Sequence, residues 1–458
     1  MLRIVMLLVL AIITKHAFPQ EPSVEHQQAV NNLIKTALNF RFDYNLLEEL
    51  CQTGPRLSGY PESLQAFTWA VAKLNASDCD SVWLQPVEVP YWRRGNIEKA
   101  EIIGPEELEH RSLRIGALGG SPGTSGRSLE AEVVEVNPYS ILAEIDSSLF
   151  KNKFIFFNEP YDHSFLRTFE AYSKAVKQRT EGPLAAAKLG AAGAIVRSVT
   201  SLDDNVPHIG LTRRDSLVTP IPAVAIGVQD ADFLSRALKE YPDLEISMNL
   251  SCENLGTALS YNVIGEIRGS LYPDEIVLVG GHFDAWDKGH GAHDDAAGCV
   301  QAMAVIDLFR MLDIKPKRTI RCVLFADEEQ KQSGAKKYNL WSQSLGEFHL
   351  AAIESDRGGF TPRGFSVEAD SLTIESLQNF LPYLQSSGIE WIRKGGSGAD
   401  ISKIKNIKAK IGYVPDDQRY FDFHHSANDT FDKVNPRELA LGTASIAVLT
   451  YLISETGL

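Results

Sequence analysis

The fold is decided by residues 276–298, which read I-V-L-V-G-G-H-F-D-A-W-D-K-G-H-G-A-H-D-D-A-A-G. The apolar run 276–279, closed by two glycines, predicts a strand that is buried on both faces. His282 and Asp284 follow where a parallel strand would end, and apolar residues recur at helical spacing over 299–312. A strand, a polar crevice and a helix start form the usual ligand site of an α/β sheet.

The polar residues of this stretch favour a metal site. A neutral imidazole from His282 together with carboxylates at strand ends is a ligand set of zinc and similar divalent ions. Asp284, two residues after the histidine, could orient the imidazole as a hydrogen-bond acceptor. The alternative interpretation is that Asp294 or Asp295 only caps the helix that follows.

Two later strands also end in acidic residues. The run 319–326 leads directly to Glu328 and Glu329, and the run 350–354 leads to Asp356. Because the carboxyl ends of parallel strands meet at one edge of a sheet, these acids are expected to converge on the crevice beside His282.

A second imidazole is available from residues 421–430, F-D-F-H-H-S-A-N-D-T. His424 or His425 could bind a second metal while Asp429 or Ser426 holds the loop, although a histidine pair in a loop is more often structural. Two imidazoles and three carboxylates suffice for two metals that share one bridging carboxylate.

Such a pair of metals polarises a carbonyl group and lowers the pKa of a shared water to about neutrality. A further carboxylate must accept the proton of that water and pass it to the leaving group. Glu328 and Glu329 suit this division, because the side chains of neighbouring residues diverge. The residues alone predict metal-assisted hydrolysis of an amide or ester and leave open which glutamate does which task.

The ordered motifs G-G-H-F-D-A-W-D-K-G-H-G-A-H-D-D-A-A-G, D-E-E-Q, E-S-D and H-H-S-A-N-D-T resemble those of the dinuclear zinc exopeptidases related to bacterial leucyl aminopeptidase. The resemblance covers nearly the whole chain. It implies two Zn²⁺ ions per chain, bridged by Asp294. The other implied ligands are His282 and Asp356 for one ion, and Glu329 and His425 for the other.

The same resemblance implies the catalytic roles. Glu328 would be the general base, and Asp284 would orient the ligand His282. His424 is the alternative to His425 as the ligand. His293 is a possible extra imidazole near the site, and Asp400 is either a substrate contact or a turn residue.

The family fold is an α/β structure, a mixed sheet sandwiched by helices, with an inserted, mainly β, protease-associated domain. The implied division is a catalytic domain from residues 40–117 and 256–458 and an insert at 118–255. Within the insert the strand candidates are 130–136, 154–157, 194–196 and 223–226. No ligand spacing occurs there, and His163 and His208 are interpreted as solvated loop residues.

The amino terminus predicts a secretory route. Residues 1–17 contain one basic residue and an apolar run too short to span a bilayer, as in a signal peptide. Sequons at Asn75 and Asn249 agree with this route. Family members are secreted or lysosomal, and the resemblance makes residues 18–39 a possible prosegment.

Composition narrows the partners further. The net charge of −14 and the lack of a basic stripe argue against nucleic acid. No segment after the signal is long enough for stable membrane insertion, and residues 446–453 are expected in the core of a terminal helix. Five cysteines leave at least one thiol free.

By the resemblance the substrates are peptides, dipeptides with a free amino terminus above all, and the protein is a homodimer. Two alternatives stay open: an aminopeptidase that acts on longer peptides, and a non-catalytic binding protein on the same scaffold. Side-chain preference and disulfide pairing cannot be read from the sequence.

Overall fold

A computed structural model describes residues 24–458. The predicted signal, 1–17, and the first residues of the possible prosegment, 18–23, lie outside the described residues.

The helices of the described chain include the two expected at 299–312 and around 446–453. They are α1 (Val24–Phe40), α2 (Phe42–Gln52), α3 (Leu64–Ala76), α4 (Thr168–Ala175), α5 (Lys177–Thr180), α6 (Gly182–Lys188), α7 (Val228–Glu240), α8 (Ala297–Met311), α9 (Ser333–Ser344), α10 (Ser371–Gln378), α11 (Leu381–Leu384) and α12 (Pro436–Thr456).

The strands include every one predicted from apolar runs. They are β1 (Ser81–Arg93), β2 (Glu98–Gly104), β3 (Ser112–Leu113), β4 (Ile115–Ala117), β5 (Leu129–Val136), β6 (Phe154–Phe157), β7 (Gly193–Arg197), β8 (Ala223–Ile226), β9 (Glu245–Leu250), β10 (Glu253–Ile267), β11 (Tyr272–His282), β12 (Arg318–Phe325), β13 (Phe348–Glu354), β14 (Pro362–Glu368), β15 (Trp391–Lys394) and β16 (Ile407–Pro415).

The first sheet has the order β1-β10-β12-β11-β13-β16-β14-β15. Its centre, β12-β11-β13-β16, is parallel, and its flanks are antiparallel. Helices α1, α2, α8 and α12 pack on one face, and α9 packs on the other. The predicted mixed sheet sandwiched by helices is therefore confirmed.

Strand β11 shows why its sequence is apolar throughout. Val277 and Val279 pack into the core on one face of the sheet, and Ile276 and Leu278 pack into the core on the other. Successive side chains of a strand point to opposite faces, so a strand covered on both sides loses the alternation of polar and apolar residues.

Helix α12 is the one helix of the described residues that is long and apolar enough to cross a membrane. Most of its apolar window is buried inside the fold. The buried helix α12 is therefore a core helix, as expected for residues 446–453.

The second sheet has the order β3-β2-β9-β5-β6-β7-β8-β4 and encloses a separate apolar core. Helices α4 to α7 occur among its strands, so this unit has helices as well as strands. Strands β2, β3 and β4 pair in this sheet although they precede residue 118. We propose that the insert, the unit built on this sheet, spans about residues 94–252.

Candidate metal centre

The site is formed where three parallel strands end side by side. In the register of the sheet, His282 of β11 pairs with Phe325 of β12, and Gly280 pairs with Glu354 of β13. The residues that directly follow these strands therefore meet at one edge. Asp294 reaches the same edge from the turn before α8, and His425 reaches it from the loop after β16.

Asp294 lies between two histidines. Its Oδ1 is 3.1 Å from His282 Nε2, and its Oδ2 is 3.4 Å from His425 Nε2. Asp356 Oδ1 is 3.4 Å from His282 Nε2, and Glu329 Oε2 is 3.0 Å from His425 Nε2. The five predicted ligands thus form two groups of three that share Asp294.

Ligand-type atoms also cluster in overlapping combinations. Groups within 4.8 Å are formed by His282, Asp294 and Glu329; by His282, Asp295 and Asp356; and by Asp294, His424 and His425. These combinations bring Asp295 and His424 close enough to be considered as ligands.

The chemistry of this donor set fits a cation. His282, Asp294 and Glu329 are all buried. Asp294 Oδ2 and Glu329 Oε1 have no hydrogen-bond partner among the described residues. Burial, with the nearby Asp294, raises the pKa of Glu329 well above its usual range. Buried carboxylates at such separations are costly unless a cation compensates them, and a divalent ion would do so.

Asp284 contacts His282 through its backbone. The Nδ1 of His282 lies 2.9 Å from the backbone carbonyl of Asp284 and 3.9 Å from its carboxylate. The carboxylate instead accepts hydrogen bonds from the backbone N–H groups of Glu328 and Glu329, at 3.0 and 3.4 Å. Asp284 therefore orients the imidazole through its main chain and holds both glutamates through its side chain.

The capping interpretation applies to Asp295. Its carboxylate accepts from the N–H groups of His282 at 3.0 Å and Gly298 at 3.1 Å, tying the end of β11 to the start of α8. A Cβ at Gly281 would lie 2.4 Å from Asp295 Oδ2, so only glycine allows this approach. Because Asp295 caps the helix, the side chain of Asp294 is free to face His282 and His425.

Asp429 holds the backbone on the other side, as the sequence suggested. Its carboxylate accepts from the N–H groups of His293 at 2.7 Å and Asp294 at 3.0 Å. Burial raises the pKa of Asp429 to about 7. A hydrogen-bonded loop of this kind fixes where Asp294 lies.

The adjacent glutamates occupy different environments. Glu329 is buried and accepts a hydrogen bond from Trp286 Nε1 at 2.6 Å. Glu328 is partly exposed to the cleft and accepts from Gln332 Nε2 at 3.2 Å. Shielding from water, with Asp356 and Asp284 nearby, raises the pKa of Glu328 to about 8.

His424 and His425 stack with 3.6 Å between ring centroids. His424 Nε2 lies 3.8 Å from Asp294 Oδ2, farther than His425 Nε2 does. The geometry favours His425 as the ligand.

The centre opens into a cleft of about 860 Å³. One wall comes from the first sheet, and the other comes from the insert through Phe169, Tyr172, Lys177 and Arg213. The insert, to which the sequence assigned no chemistry, therefore lines the site.

Some contributing residues escaped sequence analysis. Trp286 lies inside the deciding stretch, two residues after Asp284, and carries no ligand atom that would draw attention. Arg56 lies in a turn-rich connector, and its guanidinium donates to the carbonyls of Phe283, His290 and Gly291, clamping the loop before Asp294.

Three single residues have structural positions. His293 is stacked 4.2 Å from Phe360, and its Nδ1 accepts from Gly359 N–H. Asp400 is fully buried, and its backbone N–H donates to the carboxylate of Glu354, the last residue of β13, at 3.3 Å. The interpretation of His208 as solvated is wrong: it is buried, and its Nδ1 lies 2.7 Å from the His424 carbonyl. At this point the insert loop that carries His208 packs against the loop that carries His424. No local sequence pattern predicts a contact of this kind.

Comparison with known proteins gives consistent results. The model of peptidase family M28 matches residues 262–450. Carboxypeptidase Q of Bos taurus is 32% identical over 90% of this chain and 85% of the relative, and that of Homo sapiens is 33% identical with the same coverage.

Solved structures with a similar fold include peptidases as well. The crystal structure of a peptidase M28 precursor from Shewanella amazonensis superposes with a TM-score of 0.89 at 34% identity, covering 95% of this chain and 98% of that chain. A zinc aminopeptidase from Bacillus subtilis shares the fold, with a TM-score of 0.63 at 17% identity over 88% and 93% of the two chains.

Proposed function

The chain belongs to peptidase family M28, and from this membership and the geometry of its metal centre we propose that it is a dinuclear zinc dipeptidase of the secretory pathway. It is a metallo-exopeptidase similar to carboxypeptidase Q. The observation that carries the proposal is the position of Asp294, whose two carboxylate oxygens face two different histidines at 3.1 and 3.4 Å.

The family resemblance and these distances together support the proposed ligand sets. His282, Asp294 and Asp356 would hold one zinc ion, and Asp294, Glu329 and His425 would hold the other. Each histidine presents Nε2 to the carboxylates while its Nδ1 faces a backbone carbonyl. That arrangement is typical of a metal-binding imidazole.

Zinc bound at such a site lowers the pKa of a water molecule and polarises a carbonyl group. Glu328, which faces the cleft, accepts the proton from the attacking water at its carboxylate. It then donates that proton to the nitrogen of the leaving amine. Asp284 keeps Glu328 in place through the backbone N–H that it binds.

A short peptide with two free ends suits the composition of the cleft. Acidic side chains around the metal centre favour an amino group, and Lys177, Arg213 and Lys336 also line the cleft. Cationic side chains of this kind bind the free carboxylate of a short peptide. The similarity to carboxypeptidase Q supports the same substrate class, a secreted or lysosomal location and a homodimer.

The complete ligand set argues against a binding protein that has lost its chemistry. A general aminopeptidase would use the same metals on longer peptides. The two enzymes are separated by comparing the hydrolysis of free dipeptides, an amino-terminally blocked dipeptide and a longer peptide. We expect turnover of the free dipeptides alone, whereas efficient trimming of the longer peptide would contradict the dipeptidase proposal.

A further inference from the structure

The proposed ligand His425 lies in the loop after β16, but residues of the insert contact both its backbone and its imidazole ring. We infer that the insert completes the second zinc site, with Ile209 and Arg179 as positioning residues for the His425 imidazole. This inference rests on the proposed function, because it takes His425 as a zinc ligand.

Ile209 contacts His425 at two points. The N–H of Ile209 donates to the backbone carbonyl of His425 at 2.9 Å. The carbonyl of Ile209 lies 3.2 Å from His425 Nδ1. Because a carbonyl can only accept, it selects the tautomer with the proton on Nδ1 and leaves the lone pair of Nε2 facing Asp294 and Glu329.

The backbone of His425 needs this support. Its φ angle is +59°, in the left-handed region that non-glycine residues rarely adopt. A residue keeps such a conformation when its surroundings impose it. The two contacts with Ile209 fix both the backbone and the ring of the ligand.

Arg179 holds the Ile209 carbonyl from the other side. This buried guanidinium donates through Nη1 to Ile209 O at 2.9 Å and through Nη2 to the hydroxyl of Tyr172 at 2.8 Å. Nη1 lies 3.3 Å from His425 Nδ1. The Ile209 carbonyl can therefore accept from both the Arg179 guanidinium and the Nδ1–H of His425, and Arg179 fixes the position of that carbonyl.

Gly210 makes this close approach possible. Its φ angle is +134°, and a Cβ there would lie 2.6 Å from both Arg179 Cζ and His425 Nδ1. A methyl group at residue 210 would push the guanidinium and the imidazole apart.

The rest of the loop that carries His425 is bound to the insert as well. His208 Nδ1 contacts the His424 carbonyl, and Thr200 Oγ1 donates to the Phe421 carbonyl at 2.7 Å. Ser201 Oγ donates to the Asp422 carboxylate at 2.6 Å. Docking of the insert and zinc binding at the second site are therefore coupled, and each must strengthen the other.

The test compares zinc affinities measured by competition with a chelator on the full-length protein. Arg179→Met is expected to weaken one of the two sites by about 10- to 100-fold, the usual cost of removing a group that supports a metal ligand. The other site keeps its affinity. Arg179→Lys, which retains the positive charge and one donor nitrogen, is expected to recover part of the loss.

The matched control for the arginine is Arg197→Met. Arg197 is also buried in the insert, but it donates to Asn158 and Asp232, away from His425. Its replacement should leave both zinc affinities unchanged.

Glycine variants give an independent test. Gly210→Ala should weaken the same site, and Gly126→Ala should not, because Gly126 also has a positive φ but no atom within 4 Å of its Cβ position. Thermal unfolding of each variant identifies a protein that has failed to fold.

His425→Ala separates the inference from the proposed function. If that variant retains both zinc sites at full affinity, the proposed ligand set is wrong. If it loses one site while Arg179→Met and Gly210→Ala keep unaltered affinities, the ligand set holds and the role of the insert is refuted. Faster hydrogen exchange at the Ile209 amide without zinc is a second expected readout, and equal exchange would contradict the coupling.

Discussion

Asp294 is the residue on which the centre depends, because both of its carboxylate oxygens face an imidazole. Its neighbours Asp295 and Asp429 bind backbone N–H groups and so fix its position. These contacts support the proposal that Asp294 is the metal ligand and that Asp295 is the cap, a choice that the sequence alone left open.

Asp294→Ala should abolish or severely weaken both zinc sites, because it removes the shared carboxylate. Asp356→Ala should weaken only one, because Asp356 lies near His282 alone of the two histidines. Zinc content after dialysis against a weak chelator measures both effects. Retention of two tightly bound ions by Asp294→Ala would refute the bridge.

Glu328→Gln should keep both zinc ions and lower turnover by about 10²- to 10⁴-fold, the usual contribution of a general base. Glu329→Gln should instead lose zinc, since Glu329 lies 3.0 Å from His425. Metal analysis and initial rates on one preparation measure the two properties together. Zinc lost from Glu328→Gln and kept by Glu329→Gln would mean that the roles are reversed.

At this scale the sequence predicted the acids and imidazoles because strand ends have a recognisable pattern. It missed Arg179 and Ile209 because they lie more than 200 residues from His425 in sequence and carry no ligand pattern. It left open which atom of Asp284 faces His282, since the use of a main-chain carbonyl cannot be read from side-chain identity.

Among the elements, long apolar runs were predicted most reliably. Strands β6 and β8 match their predicted bounds, and β11, β12 and β13 end where the sequence placed them, within one residue. Strands β3 and β4 have two and three residues, too few for any periodicity to be visible. No pattern in the sequence therefore pointed to these two strands as part of the second sheet.

The contact between α2 and α12 should make stability depend on pH. Asp43 of α2 is buried, and its carboxylate accepts from Thr443 Oγ1 of α12 at 2.5 Å. Burial raises the pKa of Asp43 to about 6. The folded state therefore favours the protonated acid, and this contribution is present at low pH and is lost as the pH rises through about 6.

Asp43→Asn keeps an acceptor for Thr443 without the charge. Relative to this variant, the wild-type free energy of unfolding should fall by about 3 kcal/mol between about pH 3 and about pH 8, from about 1.36 kcal/mol per pKa unit. Denaturant unfolding at several pH values measures the difference. Glu48→Gln, an exposed change on the same helix, is the control, and a parallel profile for both variants would contradict the account.

In the whole molecule, each of the two sheets has its own apolar core. The two units built on these sheets both line the cleft at the metal centre. The sequence predicted both units but assigned no chemistry to the second. Contacts between units arise from tertiary docking, and periodicity within one segment carries no information about them.

Zinc should stabilise the protein as a whole, because its ligands come from five separated positions in the chain. Restoring zinc to metal-free protein at about 100 times the dissociation constant should add about 2.7 kcal/mol per site, seen as a higher Tm. Asp294→Ala should show little of this increase. An equal increase in that variant would place the stabilising ion elsewhere.

The most direct test of the central claim is a zinc titration of metal-free wild-type protein, followed by bound zinc per chain and by hydrolysis of a free dipeptide. We predict that binding saturates at two equivalents and that full turnover requires both. Saturation at a single equivalent with full turnover, or turnover without metal, would contradict a dinuclear centre bridged by Asp294.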